Sequence, residues 1–163
     1  MVHSSEEDEE YGSLAGVSPH LAKGARDVTR GFLLTLAPDG DGAEVESVLL
    51  VVPELVTNAV RHAGGLTGFG LRVGQGTVTV SVGDASRVPP QWWPADSTRP
   101  GGFGRPLVQS LATEVQVSGR RGGKTVSAML PFSDLRIREC HLLDLNPDTR
   151  ESEFGLLTSS CER

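Results

Sequence analysis

Four groups of residues in this chain could do chemistry together. Glu54 and Asn58 stand four apart in VESVLLVVPELVTNAVRHA, so on a helix they share one face. A carboxamide oxygen such as that of Asn58 suits Mg²⁺, a hard cation that keeps several waters. A carboxylate one turn earlier can take a proton from an attacking hydroxyl. Asp84 closes the alternating run TVTVSVGD and can accept from an exocyclic amine such as that of adenine. Gly102 and Gly104, in Gly102-Phe103-Gly104, stand at the mouth of a short helical pattern, where bare backbone N–H groups and the helix dipole favour phosphate. Gly123-Lys124-Thr125 opens the last alternating run. Each pattern alone has an ordinary reading: a surface pair, a turn residue, a helix entry, a strand edge. Their order along one chain makes them worth joining.

The elements that must hold these groups follow from periodicity. Val45, Val48, Leu49, Val52, Leu55, Val56, Ala59 and Val60 form a helical stripe over Ala43–Ala63, with Glu54 and Asn58 nearly opposite it, flanked by Leu50 and Val51. Pro53 lies inside that helix and predicts a bend just before Glu54. An earlier helix is predicted from Ser18-Pro19, read as cap and first helical residue, with Leu21, Ala25, Val28, Phe32 and Leu36 as its stripe. Phe69–Val73 and Thr77–Val82 read as paired strands around Gly74-Gln75-Gly76. After the long Pro/Gly-rich stretch from Gly83 to Gly104 come a short helix, Arg105–Thr113, and a hairpin of Glu114–Ser118 with Lys124–Leu130. Hairpin-joined strand pairs with helices on one face predict an α+β two-layer sandwich with a mixed, mostly antiparallel sheet.

Three segments follow: an acidic arm over 1–16, expected to be disordered, a domain over 17–132, and a partly ordered tail over 133–163. Net charge is −6 without a Lys/Arg run, which argues against a nucleic-acid surface. No apolar run approaches a membrane span, and Cys140 and Cys161 fit no metal-ligand spacing; a cytoplasmic protein is expected. His62 reads as a helix-end residue and Arg61 as a surface or ion-pairing group. Trp92 and Trp93 read either as a satellite core or as an exposed partner patch.

ELVTNAVRHA resembles the N-box of the histidine-kinase-like (GHKL) ATPase superfamily. GDAS followed by Pro89 resembles its first G-box, GGFGRPLV its second, and GGKTVSAMLPF its closing Thr-bearing strand. The resemblance covers about Val17 to Phe132 and is nearest to small stand-alone ATPases similar to bacterial anti-sigma-factor serine kinases, common in actinobacteria. It implies a Bergerat ATP-binding fold, with ATP and Mg²⁺ as cofactors. Carried over, Asn58 would ligate Mg²⁺ and Glu54 would be the general base. Asp84, aided by Thr125, would read adenine; Gly102 and Gly104 would border lid and phosphates; Arg99 or Arg105 would contact the γ-phosphate. Such proteins phosphorylate a serine on a small STAS-type anti-anti-sigma partner, sequester a sigma factor, and commonly form homodimers. This sequence departs at Ser86, where the first G-box has glycine, and at Pro53 and Arg105-Pro106. A non-catalytic module that senses ATP, or sequesters its partner without nucleotide, therefore remains the alternative.

Overall fold

The computed structural model describes residues 8–39, 42–88, 104–133 and 141–145. Along the chain these are α1 (Asp8–Leu36), α2 (Gly42–His62), β1 (Leu66–Gly74), β2 (Thr77–Asp84), α3 (Gly104–Leu111), β3 (Glu114–Arg120), β4 (Gly123–Pro131) and β5 (His141–Leu145). The strands form one sheet in the order β3-β4-β2-β1-β5. Each of the four described pairings is antiparallel, so the sheet is not mixed in these residues.

Strand alternation divides the sheet into two faces. Val78, Val80 and Val82 of β2 are buried, and opposite them on β4 stand Leu130, Ala128 and Val126. With Phe69, Leu71 and Val73 of β1 they meet Val48, Leu49, Val52, Leu55, Val56 and Ala59 of α2 in one core. The other face is polar, as the cross-strand Ser81–Ser127 hydroxyl contact of 2.9 Å illustrates. The result is the α+β two-layer sandwich that the strand pattern predicts.

Three features differ from the sequence reading. First, α1 begins at Asp8, so Ser18 and Pro19 are interior helical residues rather than its start. The Asp8–Gly16 part of the expected arm is therefore helix. Proline removes its own N–H bond and crowds the carbonyl four residues back, yet the helix continues through Pro19. Second, the buried stripe of α1 is rotated: Leu33 is fully buried and Ala22, Thr29 and Phe32 are buried, while Leu21 is exposed. Two overlapping sets with helical spacing coexist in this segment, and one residue of offset turns a helix by about 100°. Buried Thr29 satisfies its hydroxyl on the Ala25 carbonyl at 2.7 Å. Third, the tail supplies β5. Leu145, Leu143 and His141 stand opposite Phe69, Leu71 and Val73, and Leu143 joins the core. Five residues without β-branching are too short a signal to stand out in a polar tail.

Turns set the register. Gln75 and Gly76 both have positive φ, 54° and 75°, which is the two-residue hairpin geometry that matches strand twist. Glu44, in the first turn of α2, accepts from the Ser133 amide at 2.7 Å and its hydroxyl at 2.9 Å, tying the exit of β4 to the helical layer. By contrast, Arg26 and Arg30 of α1 reach Glu46 of α2 at 3.8 and 3.4 Å across an exposed surface, where such pairs contribute little. If β5 is part of the domain, Leu143→Ala should cost about 2–5 kcal/mol in chemical denaturation. Half-buried Leu142, on the opposite face, should cost less than about 1 kcal/mol when cut to alanine.

Candidate nucleotide site

α2 packs on α1, α3 and the central strands β2 and β4, so its edges decide what faces the space beside the sheet. Val51 is fully buried, whereas Leu50 is 44% exposed. The flanks of the polar pair are thus unequal. Asn58 lies seven residues after Val51, two turns on along nearly the same line of the helix, at the margin of the buried arc. Glu54 sits one step further round. Both are half-buried, between core and solvent. The helix is continuous through Pro53, which frees the Leu49 carbonyl from its usual partner one turn below the pair.

The end of β2 is fastened to the end of this helix. The Ala85 amide donates to the Gly65 carbonyl at 3.3 Å, just past α2. Asp84, immediately before it, is only 3% exposed. Its Oδ1 accepts from the Ser86 amide at 2.9 Å, and the Ser86 hydroxyl accepts from the Val88 amide at 3.2 Å, so two short side-chain-to-backbone bonds start the long loop. In the first G-box Ser86 stands where glycine is usual, and here its side chain shapes that turn.

Lys124 reads in the sequence as an ordinary strand-edge residue rather than a phosphate ligand. It stands opposite Asp84 in the β2–β4 ladder, is 6% exposed, and places Nζ 3.0 Å from Oδ1 and 3.0 Å from Oδ2. Burying either charge alone would be costly, and the pair is tolerable because each supplies the other's counter-charge. Backbone packing enforces the arrangement. A Cβ on Gly123 would overlap the Asp84 carbonyl oxygen, so only glycine lets β4 approach β2 here.

Thr125 is placed elsewhere. It stands opposite Gly83, one residue out of phase with Asp84, and so points to the other face of the sheet. A side chain on Gly83 would run into Arg120 Nη2 and Thr67 Oγ1. The hydrogen bond between those two groups, 2.6 Å, covers the face that Thr125 shares. Thr125 therefore does not assist Asp84; the neighbour of that carboxylate is Lys124. Parity was the available signal, since 124, 126, 128 and 130 share a face as do 78, 80, 82 and 84.

Gly104 is the first residue of α3 and Arg105 lies in its first turn, followed by exposed Pro106, which is tolerated there. Val108 anchors α3 in the core, with Leu107 and Leu111 half-buried. Arg99, Gly102, Trp92 and Trp93 lie outside the described residues, as does the side chain of His62; Arg61 is exposed. Among the described residues no cluster of three or more His, Cys, Asp or Glu could hold a metal. A metal at Asn58 would thus depend mainly on phosphate oxygens and water, the mode Mg²⁺ favours. No described helix is long and apolar enough to cross a membrane.

Residues 18–130 match the family model described as a histidine kinase-like ATPase domain. The chain belongs to that family. It is therefore a GHKL ATP-binding domain. Among solved structures, the blue-light activated histidine kinase of Erythrobacter litoralis EL346 is similar, at 26% identity over 60% of this chain and 33% of that one, with TM-score 0.45. Its histidine kinase domain is similar at 23% identity over 76% and 63%, TM-score 0.43. The Acinetobacter baumannii histidine kinase AdeS is similar at 17% over 55% and 48%, TM-score 0.38. The chain thus spans about a third of the EL346 kinase. No curated protein matches it.

The close approach at Gly123 yields a sharp test. Gly123→Ala should destabilise by about 1–3 kcal/mol, a fall of roughly 3–10 °C in Tm by calorimetry. Gly119→Ala, on β3 with open space around its Cβ position, should leave Tm nearly unchanged.

Proposed function

We propose that this chain is a regulatory ATPase-fold protein that uses Mg-ATP to phosphorylate a serine on a small STAS-type anti-anti-sigma partner and sequesters a sigma factor when that partner is absent. The observation that carries the reading is Asp84: a carboxylate buried at the mouth of the sheet, tied by the next residue to the end of the Glu54–Asn58 helix. A buried carboxylate with accepting capacity left over suits an exocyclic amine and disfavours bulk anions.

ATP, when bound, supplies the phosphoryl group, and Mg²⁺ neutralises charge on its oxygens. Asn58 would hold the metal through its carboxamide oxygen. Glu54, one turn earlier at the solvent margin, accepts the proton of the incoming serine hydroxyl. Backbone N–H groups at the start of α3 would hold phosphate oxygens, and the guanidinium of Arg105 or Arg99 would supply positive charge to the γ-phosphate. Transfer of this type needs orientation and charge stabilisation more than covalent chemistry.

A second reading, nucleotide-responsive sequestration without transfer, is favoured by Pro53, which removes a backbone hydrogen bond directly before the base. The two readings separate in one assay. With labelled ATP, Mg²⁺ and a STAS-domain substrate, the wild type should label the partner. Glu54→Gln should cut transfer by about 10²–10⁴-fold while ATP affinity by calorimetry stays unchanged. No labelling by the wild type, with ATP bound, would leave sequestration alone. Asn58→Ala should remove the dependence of ATP affinity on Mg²⁺; retention of that dependence would refute the metal assignment.

A further inference from the structure

Lys124 changes what the base pocket can read. A neutral amine does not displace an ammonium from a buried carboxylate, because the charge left behind would have neither solvent nor partner. Resting on the reading that this site takes ATP, we infer that Asp84 and Lys124 read the base jointly, Asp84 accepting from the 6-amino group and Lys124 donating to ring N1. Lys124 is then a specificity-determining residue.

Hydrogen-bond capacity selects the base. The two carboxylate oxygens of Asp84 offer about four lone-pair sites. Oδ1 receives the Ser86 amide and Lys124 Nζ, while Oδ2 lies 3.0 Å from Nζ as the other half of the ion pair. Accepting capacity is left on Oδ2. The ammonium has three N–H donors, one of them given to Oδ1, so donating capacity is left as well. The pair therefore offers an acceptor beside a donor.

The six-membered edge of adenine offers the complement: an N6–H donor next to the N1 acceptor. Guanine presents O6 where adenine has its amine and N1–H where adenine has N1, the reverse of what the pair offers. Hypoxanthine presents one acceptor and one donor, but in reversed places. Its O6 would face Oδ2 and its N1–H would face the ammonium. With ribose and phosphates fixing the direction of entry, both contacts become repulsive. A site whose buried polar groups are left unpaired rejects the wrong ligand strongly, by roughly a hundredfold or more.

The test uses the wild-type protein and a pair of triphosphates differing in one atom. 1-Deaza-ATP keeps the 6-amino group and replaces N1 with C–H. Calorimetric titration should show it bound about tenfold or more weaker than ATP, the worth of a charge-assisted bond, with ITP weaker still. Lys124→Met keeps most of the stem and removes the donor. In that variant ATP and 1-deaza-ATP should bind equally. Lys124→Arg, which keeps a cation on Asp84, should fold even if the methionine variant does not and should narrow the ATP over 1-deaza-ATP preference. Equal binding of ATP and 1-deaza-ATP by the wild type would overturn the inference while leaving the ATP site intact. So would an undiminished preference in either folded variant. Binding of neither ATP nor 1-deaza-ATP would overturn the ATP reading and this inference with it.

Discussion

At the mouth of the sheet a carboxylate and an ammonium lie 3.0 Å apart, both almost wholly removed from water. Such a pair is stable only where its geometry is held, because attraction must offset the loss of hydration on both sides. Removing one partner from a buried pair typically costs about 3–5 kcal/mol, so much of the local backbone is committed to keeping the two together. Antiparallel register sets Asp84 against Lys124. Glycine at 123 lets the strands close. The Asx turn to Ser86 fixes the rotation of the carboxylate.

The helical layer extends that constraint to the polar turn of α2. α2 is pinned by fully buried Val48, Leu49, Val51, Val52 and Val56 against the same strands that carry Asp84 and Lys124. Because the helix is rigid and its buried arc reaches Val51, Asn58 and Glu54 are held at the margin of the core. The bond from Ala85 to Gly65 closes the circuit between helix end and strand end. Asp84, Lys124, Glu54 and Asn58 thus share one scaffold.

The polar turn, the strand-end aspartate, the hairpins and the two-layer class were legible because period 3.6 and period 2 patterns are strong in α2, β2 and β4. Leu33 and Ala22 were missed because α1 carries two overlapping helical registers, and only its neighbours choose between them. β5 was missed because a five-residue strand gains its identity from the edge of β1 that it covers. Lys124 was underrated because a lone lysine on a strand is ordinarily a solvated residue; its partner lies forty positions away.

By itself, the sequence determined which residue types are available and the face each takes within its own element, since those follow from local backbone periodicity. It determined the family through the run around Glu54 and Asn58. Tertiary structure alone decided which strand faces meet and in what register. That choice moved the companion of Asp84 from Thr125 to Lys124, because one step along a strand reverses the side on which a side chain stands.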